Sequence, residues 1–203
     1  MRQHATRVVS GNHDWALGYD EDPRCSPPYR AMAAEMAHYT ASALTPQNRE
    51  YLRQLPLQTN LGRDGRRFHL CHAIPSDPLY GYCPAESDRW GLEVGLIPAE
   101  ILLVGHTHTP FVHEIGSRRV VNPGSLGQPK IGAPNACYAV WEDGRFDLRR
   151  YAYPVQDTIN KLHALPLSAE VRHDLIAVLL TGVPAARSSS DATRVQDGVQ
   201  QVG

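Results

Sequence analysis

The feature that most constrains this chain is a repeated junction in which a short apolar run passes straight into a polar motif. Val8-Val9-Ser10 leads into Gly11-Asn12-His13-Asp14, and Phe68-His69-Leu70-Cys71 leads into His72. Leu102-Leu103-Val104 leads into Gly105-His106-Thr107-His108, and Val120-Val121 leads into Asn122-Pro123-Gly124-Ser125. Short apolar runs bounded by turn residues read as strands, and Ile101 to Val104 reads as one buried on both faces. In layered α/β folds, sites form at the carboxyl ends of strands. One histidine after a strand is ordinarily a loop residue. Four histidines and an asparagine at such ends imply a single convergent site.

The rest of the chain supplies the elements around that site. Strands are predicted at residues 6–10, 67–71 and 101–104, with another ending at Val121. Residues 136–141 and 146–152 flank Glu142-Asp143-Gly144, a D-G turn between β-prone runs that predicts a hairpin. Residues 29–44 predict a helix with Met32, Met36, Tyr39 and Ala43 on its inner face. Thr45 and Pro46 have the residue types of an N-cap and first helical position, with Leu52 and Leu55 facing inward. Two terminal helices are predicted at 155–164 and 168–180, the second closed by Gly182. With 203 residues, the expectation is one domain over 1–183 and a polar, disordered tail over 184–203.

A formal net charge of -1 gives no electrostatic footprint for nucleic acid or an acidic membrane surface. No apolar run approaches the ~20 residues of a membrane span. Met1-Arg2-Gln3-His4 lacks the apolar stretch of a secretory signal. Cys25, Cys71, Cys83 and Cys137 are scattered, which predicts reduced thiols in a cytoplasmic protein.

Neutral imidazoles suit zinc, iron, nickel or manganese, and the amide oxygen of Asn12 is a hard ligand. His106 and His108, two apart, would point to one side in extended backbone. There is no H-E-x-x-H and no cysteine pair. A mixed nitrogen and oxygen set fits hydrolytic chemistry better than structural zinc. His13 beside Asp14 reads either as an imidazole kept basic by a carboxylate or as an exposed ring next to a turn cap.

Together, Gly11-Asn12-His13-Asp14, His72, Gly105-His106-Thr107-His108 and Asn122-Pro123-Gly124-Ser125, in that order, resemble the calcineurin-like metallophosphoesterases. Leu44-Thr45-Pro46, Leu55-Pro56 and the run from Asn122 through Pro129 to Lys130 are similar to the bacterial phosphodiesterase-like branch. The resemblance implies an α/β fold, a metallophosphoesterase β-sandwich flanked by helices. It implies two divalent metal ions, manganese, iron, zinc or nickel. Asn12, His72 and His106 would bind one metal and His108 the other. His13 would be the proton donor to the leaving group, oriented by Asp14. A metal-bound hydroxide would hydrolyse a phosphodiester or phosphomonoester, on a small molecule or a phosphoprotein. The Asn122 to Ser125 turn would be scaffolding, and Lys130 either contacts a phosphate or is a surface lysine.

The sequence departs from the family pattern in one respect. The family's Asp-x-His and Gly-Asp blocks do not precede Gly11, so the expectation is an N-terminally truncated domain. It would hold one metal in its intact half-site, with His108 stranded. Unpaired edges and exposed apolar faces are expected beside Val8 and Leu102. The alternative function is a non-catalytic binding or scaffold module of the same fold, as in a retromer subunit.

Overall fold

A computed structural model describes residues 4–183. Its core is a mixed sheet of five strands in the order β1-β2-β3-β5-β4. These are β1 (Gln58–Arg63), β2 (Arg66–Cys71), β3 (Ile101–Leu103), β4 (Phe111–Ile115) and β5 (Arg118–Asn122). Strands β2, β3 and β5 run parallel, with Leu70 opposite Leu103 and Leu103 opposite Val121. The outer strands β1 and β4 are antiparallel to their neighbours. The parallel arrangement brings the carboxyl ends of β2, β3 and β5 to one edge, and His72, His106 and Asn122 arrive there together.

One face of this sheet is sealed by a cluster of Cys71, Ile74, Cys83, Trp90, Val94, Leu102 and Val120 under α4 (Trp90–Gly95). Leu102 is only 1% exposed within it. The opposite face looks toward a hairpin, β6 (Ala136–Glu142) and β7 (Arg145–Tyr151). Asp143 and Gly144 both have positive φ, 49° and 76°, the requirement of a tight hairpin turn. Phe68 stands edge-on to Trp141 at 5.3 Å, and Trp141 Nε1 donates to Asp64 Oδ2 at 2.9 Å. These contacts pin the hairpin tip to the sheet. At its other end the Cys137 amide donates to the Ser125 carbonyl at 2.9 Å. Between the pins lies an apolar cleft of about 580 Å³, lined by Val9, Leu70, Leu103, Val121, Trp141 and Phe146 among others.

That cleft corrects one expectation. The open apolar face carries Val9 and Leu103, while Leu102 points the other way into the core. Successive strand residues alternate faces, so adjacent leucines meet different surroundings. Residues 6–10 form no strand either: they pair with none of the described strands, and the Ser10 amide donates to the Pro56 carbonyl instead.

Three helices make a second cluster. α2 (Arg30–Ala43), α5 (Val155–Ala164) and α6 (Ala169–Thr181) gather Ile159, Leu162, Val171, Leu175 and Leu179 against Met32, Met36 and Tyr39. Ala43 is exposed, and Ala33 is the buried alanine of α2. Between α2 and β1, α3 (Pro46–Arg53) starts at Thr45, whose Oγ1 accepts from the Asn48 amide. Gly182 closes α6 at φ 64°, and its carbonyl accepts from the Gly132 amide, tying the helices to the loop after β5. Among the described residues all four cysteines are free, and no helix is long and apolar enough to cross a membrane. The predicted tail at 184–203 lies outside the described residues.

Candidate metal centre

Asn12 and His13 open α1 (Asn12–Tyr19), a helix the sequence reading did not anticipate. Its Gly11 N-cap amide donates to Asp14 Oδ2 at 3.0 Å. Gly11 has to be small for another reason. A Cβ there would lie 3.1 Å from His72 Nδ1, closer than side chains ordinarily approach. The glycine therefore lets the His72 ring lie against the start of α1.

The helix places Asn12 deep in the fold, 4% exposed. Asn12 Nδ2 donates to the Pro23 carbonyl at 2.8 Å, which turns Oδ1 toward His72 Nε2 at 3.1 Å. His72 Nε2 in turn lies 3.1 Å from His106 Nδ1, with the two rings edge to face. Three acceptor-capable atoms thus converge from α1, from the end of β2 and from the end of β3. Neutral imidazoles supply at most one proton to such a meeting point, so at least one of the three lone pairs stays unsatisfied by hydrogen. A divalent cation satisfies all three, and the donor set fits one such ion. Among the described residues no group of three or more histidines, cysteines and carboxylates gathers, because the third member here is an asparagine.

The turn after β3 is built differently from the expected extended backbone. His106 and His108 both have positive φ, 60° and 61°, and the Thr107 amide folds back to the Gly105 carbonyl at 2.7 Å. Asn122, fully buried, braces this turn by donating to the Gly105 carbonyl and to Thr107 Oγ1. Its own Oδ1 accepts from the Gly124 amide at 2.9 Å. The consequence is divergence. His106 joins Asn12 and His72, whereas His108 Nδ1 donates to the Gln128 carbonyl at 2.8 Å. That bond fixes the proton on Nδ1 and leaves Nε2 as the ligand-capable nitrogen.

Burial keeps these rings neutral. It pushes His72 down to about 3, with the charges of His106, His108 and His13 adding to the effect. It pushes His108 down to about 4, with Lys130 next in importance. His106 is lowered by burial and then by Lys130. A neutral imidazole is the form that binds metal. His13, partly open to solvent, is also lowered by loss of hydration, while the Asp14 carboxylate opposes that. Its Nε2 lies 3.5 Å from Cys25 Sγ. Asp14 therefore acts on His13 through its charge and on Gly11 through a hydrogen bond.

The structure brings Asn12, His72 and His106 together and sets His108 and His13 apart from them. Cys25, the Pro23 carbonyl and the Gln128 carbonyl were missed. Two of these act through backbone atoms, which leave no mark in residue identity.

A family model described as a calcineurin-like phosphoesterase superfamily domain matches residues 1–143. An uncharacterized protein of Methanocaldococcus jannaschii is 26% identical over 172 residues, covering 76% of this chain and 68% of the relative. The crystal structure of a metallophosphoesterase from Sphaerobacter thermophilus superposes with a TM-score of 0.68 at 25% identity, covering 88% of this chain and 80% of that one. A hypothetical protein of Pyrococcus horikoshii shares the fold at a TM-score of 0.75 and 21% identity, over 91% of this chain and 76% of that one.

Proposed function

The chain belongs to the calcineurin-like phosphoesterase superfamily, and from that premise we propose that it is a metal-dependent hydrolase of a phosphodiester or phosphomonoester. The observation that carries this reading is the convergence of Asn12 Oδ1, His72 Nε2 and His106 Nδ1 at contacts of 3.1 Å. These three would hold one divalent ion, of manganese, iron, zinc or nickel, while the bond of His108 Nδ1 to the Gln128 carbonyl leaves its Nε2 available as a ligand nitrogen. When bound, such an ion supplies Lewis acidity toward phosphoryl oxygens.

The chain's own residues do the rest. Asn12 and His72 are fixed by the Pro23 carbonyl and by Gly11, so their ligand atoms need no reorganisation. A water oxygen bonds to phosphorus as the P–O bond to the leaving group breaks; His13 gives the leaving oxygen a proton, and the proton shed by the water passes to solvent. Loss of hydration makes the His13 imidazolium a stronger acid, and the Asp14 charge opposes that shift. The free thiols fit a reducing, cytoplasmic setting.

The test is turnover of bis(p-nitrophenyl) phosphate and of an alkyl phosphodiester by the purified chain with manganese. His72→Ala is expected to abolish stoichiometric manganese binding and turnover. His13→Ala keeps the metal but lowers kcat on the alkyl ester by about 10²–10⁴, and less on the p-nitrophenyl ester, whose leaving group needs no proton. A chain that binds manganese yet hydrolyses neither diesters nor monoesters overturns the reading.

A further inference from the structure

The segment that follows α1 touches the site twice without giving it a donor. Pro23 is buried, and its carbonyl accepts from Asn12 Nδ2 at 2.8 Å. Two residues on, Cys25 Sγ lies 3.5 Å from His13 Nε2. The Asn12 amide and the His13 ring are thus both held from residues 23–25, and Arg24 stands between the two contacts.

Arg24 has φ 54°, a left-handed conformation that a residue with a side chain keeps only where surrounding contacts impose it. Two contacts do so here. Its amide donates to Asp22 Oδ1 at 2.7 Å, a bond that stays within the loop and moves with it. Its guanidinium lies over the Tyr80 ring, 4.4 Å from Cζ to the centroid, and this contact reaches outside the loop. Tyr80 belongs to the segment that follows His72. That segment is stiff. The Ala73 amide donates to the Pro78 carbonyl at 2.9 Å, and the Tyr80 amide donates to Asp77 Oδ1 at 3.2 Å. A Cβ on Gly81 would come within 2.3 Å of Ile74 Cγ1, so the chain packs as closely there as glycine permits. Tyr80 Oη is buried and makes no hydrogen bond among the described residues, so the ring is what Tyr80 offers. Among the described ion pairs none involves Arg24. The cation–π contact therefore ties the segment that orients Asn12 and His13 to the segment that carries His72.

We propose that Arg24 is a positioning residue for the candidate metal centre. Stacked on Tyr80, it acts as a strut that keeps the Pro23 carbonyl on Asn12 and Cys25 against His13. The strut rests on the reading of Asn12, His72 and His106 as donors to one ion.

Manganese binding measured by calorimetry tests it. Arg24→Ala is expected to weaken binding by about two- to fivefold, the range of one exposed cation–π contact. Loss of a nearby positive charge would by itself strengthen the binding of a cation, so the sign separates positioning from charge. Arg24→Gly suits the left-handed backbone and is expected to weaken binding equally, whereas Arg24→Lys keeps part of the affinity. Tyr80→Phe matches the parent, and Tyr80→Leu matches Arg24→Ala. The double variant Arg24→Ala/Tyr80→Leu is no weaker than either single one, because both remove the same contact. Circular dichroism confirms that each variant is folded. A second readout needs neither metal nor turnover. Of the four cysteines only Cys25 is not buried, so it is the thiol that N-ethylmaleimide reaches in the folded chain. Its labelling in the metal-free chain is expected to speed up by a similar factor in Arg24→Ala and in Tyr80→Leu. Parental or tighter manganese binding in Arg24→Ala, or an unchanged labelling rate in both variants, overturns the strut. Turnover separates this claim from the hydrolase. Weakened manganese binding in Arg24→Ala, in a chain whose parent hydrolyses no phosphoester, sinks the hydrolase and leaves the strut. Turnover by the parent with manganese affinity unmoved in Arg24→Ala sinks the strut alone.

Discussion

Gly11 does two things with one missing atom. Its amide is capped by Asp14, and its bare Cα makes room for the His72 ring. Gly11→Ala keeps the backbone, since φ is -91° and open to any residue. The added methyl instead pushes the His72 ring from its meeting with Asn12 and His106. Manganese affinity is therefore expected to fall by about 10- to 100-fold, the usual cost of disturbing a ligand's support, while the melting temperature changes little. Equilibrium dialysis beside a thermal melt checks this, and unchanged affinity would refute it. Gly124 is the contrasting case. It has φ 86°, and a Cβ would lie 2.7 Å from Cys137 Cβ, so alanine there strains the fold rather than the site.

The elements most legible in sequence were those with local signals. The 136–152 hairpin announced itself through Asp143-Gly144, and the terminal helices through caps and apolar spacing. The missed elements, α1, α4, β1 and β4, lack that signature. Strand β1 is mostly polar, and it exists because β2 offers a paired ladder from Gln58 to Arg63. Helix α6 offers a measurable cap. Ser168 Oγ accepts from the Val171 amide and donates to Glu35 Oε2 at 2.8 Å, joining α6 to α2. Ser168→Ala is expected to cost about 1 kcal/mol, read as a lower melting temperature. A melt identical to the parent would show that the cap contributes nothing.

At the scale of the whole molecule, the gathering of half-buried histidines makes stability depend on pH. The folded-state values of His72 and His108, about 3 and about 4, lie below the ordinary 6.5. Between those limits the unfolded chain binds more protons, so acid favours unfolding. The contribution is fully present above about 6.5 and is lost as pH falls toward 3. Urea midpoints of the metal-free chain are expected to drop steadily from neutral pH to pH ~4, and manganese, competing with protons, is expected to resist the drop near pH ~6. A flat midpoint over that range contradicts this. The cleft of about 580 Å³ between sheet and hairpin has a separate consequence. It is apolar and of a size that accepts a small organic molecule. The native chain is expected to enhance the fluorescence of an anilinonaphthalene dye before any unfolding, and Leu103→Arg, which places a charge in the cleft, to abolish that signal.

The sequence by itself determined the family and the chemistry of the candidate donor set; of the expected strand ends, those before His72 and His106 formed and the one before Asn12 did not. Family and donor chemistry follow from residue types and their order along the chain, through Asn12, His72, His106 and His108. The family resemblance already grouped Asn12, His72 and His106 apart from His108; only the tertiary structure decided the backbone that holds them so. Positive φ at both His106 and His108, imposed by the Asn122 brace, sends one imidazole to Asn12 and His72 and the other to the Gln128 carbonyl. Spacing along a chain cannot carry that outcome, because it depends on backbone hydrogen bonds made by residues far apart in sequence.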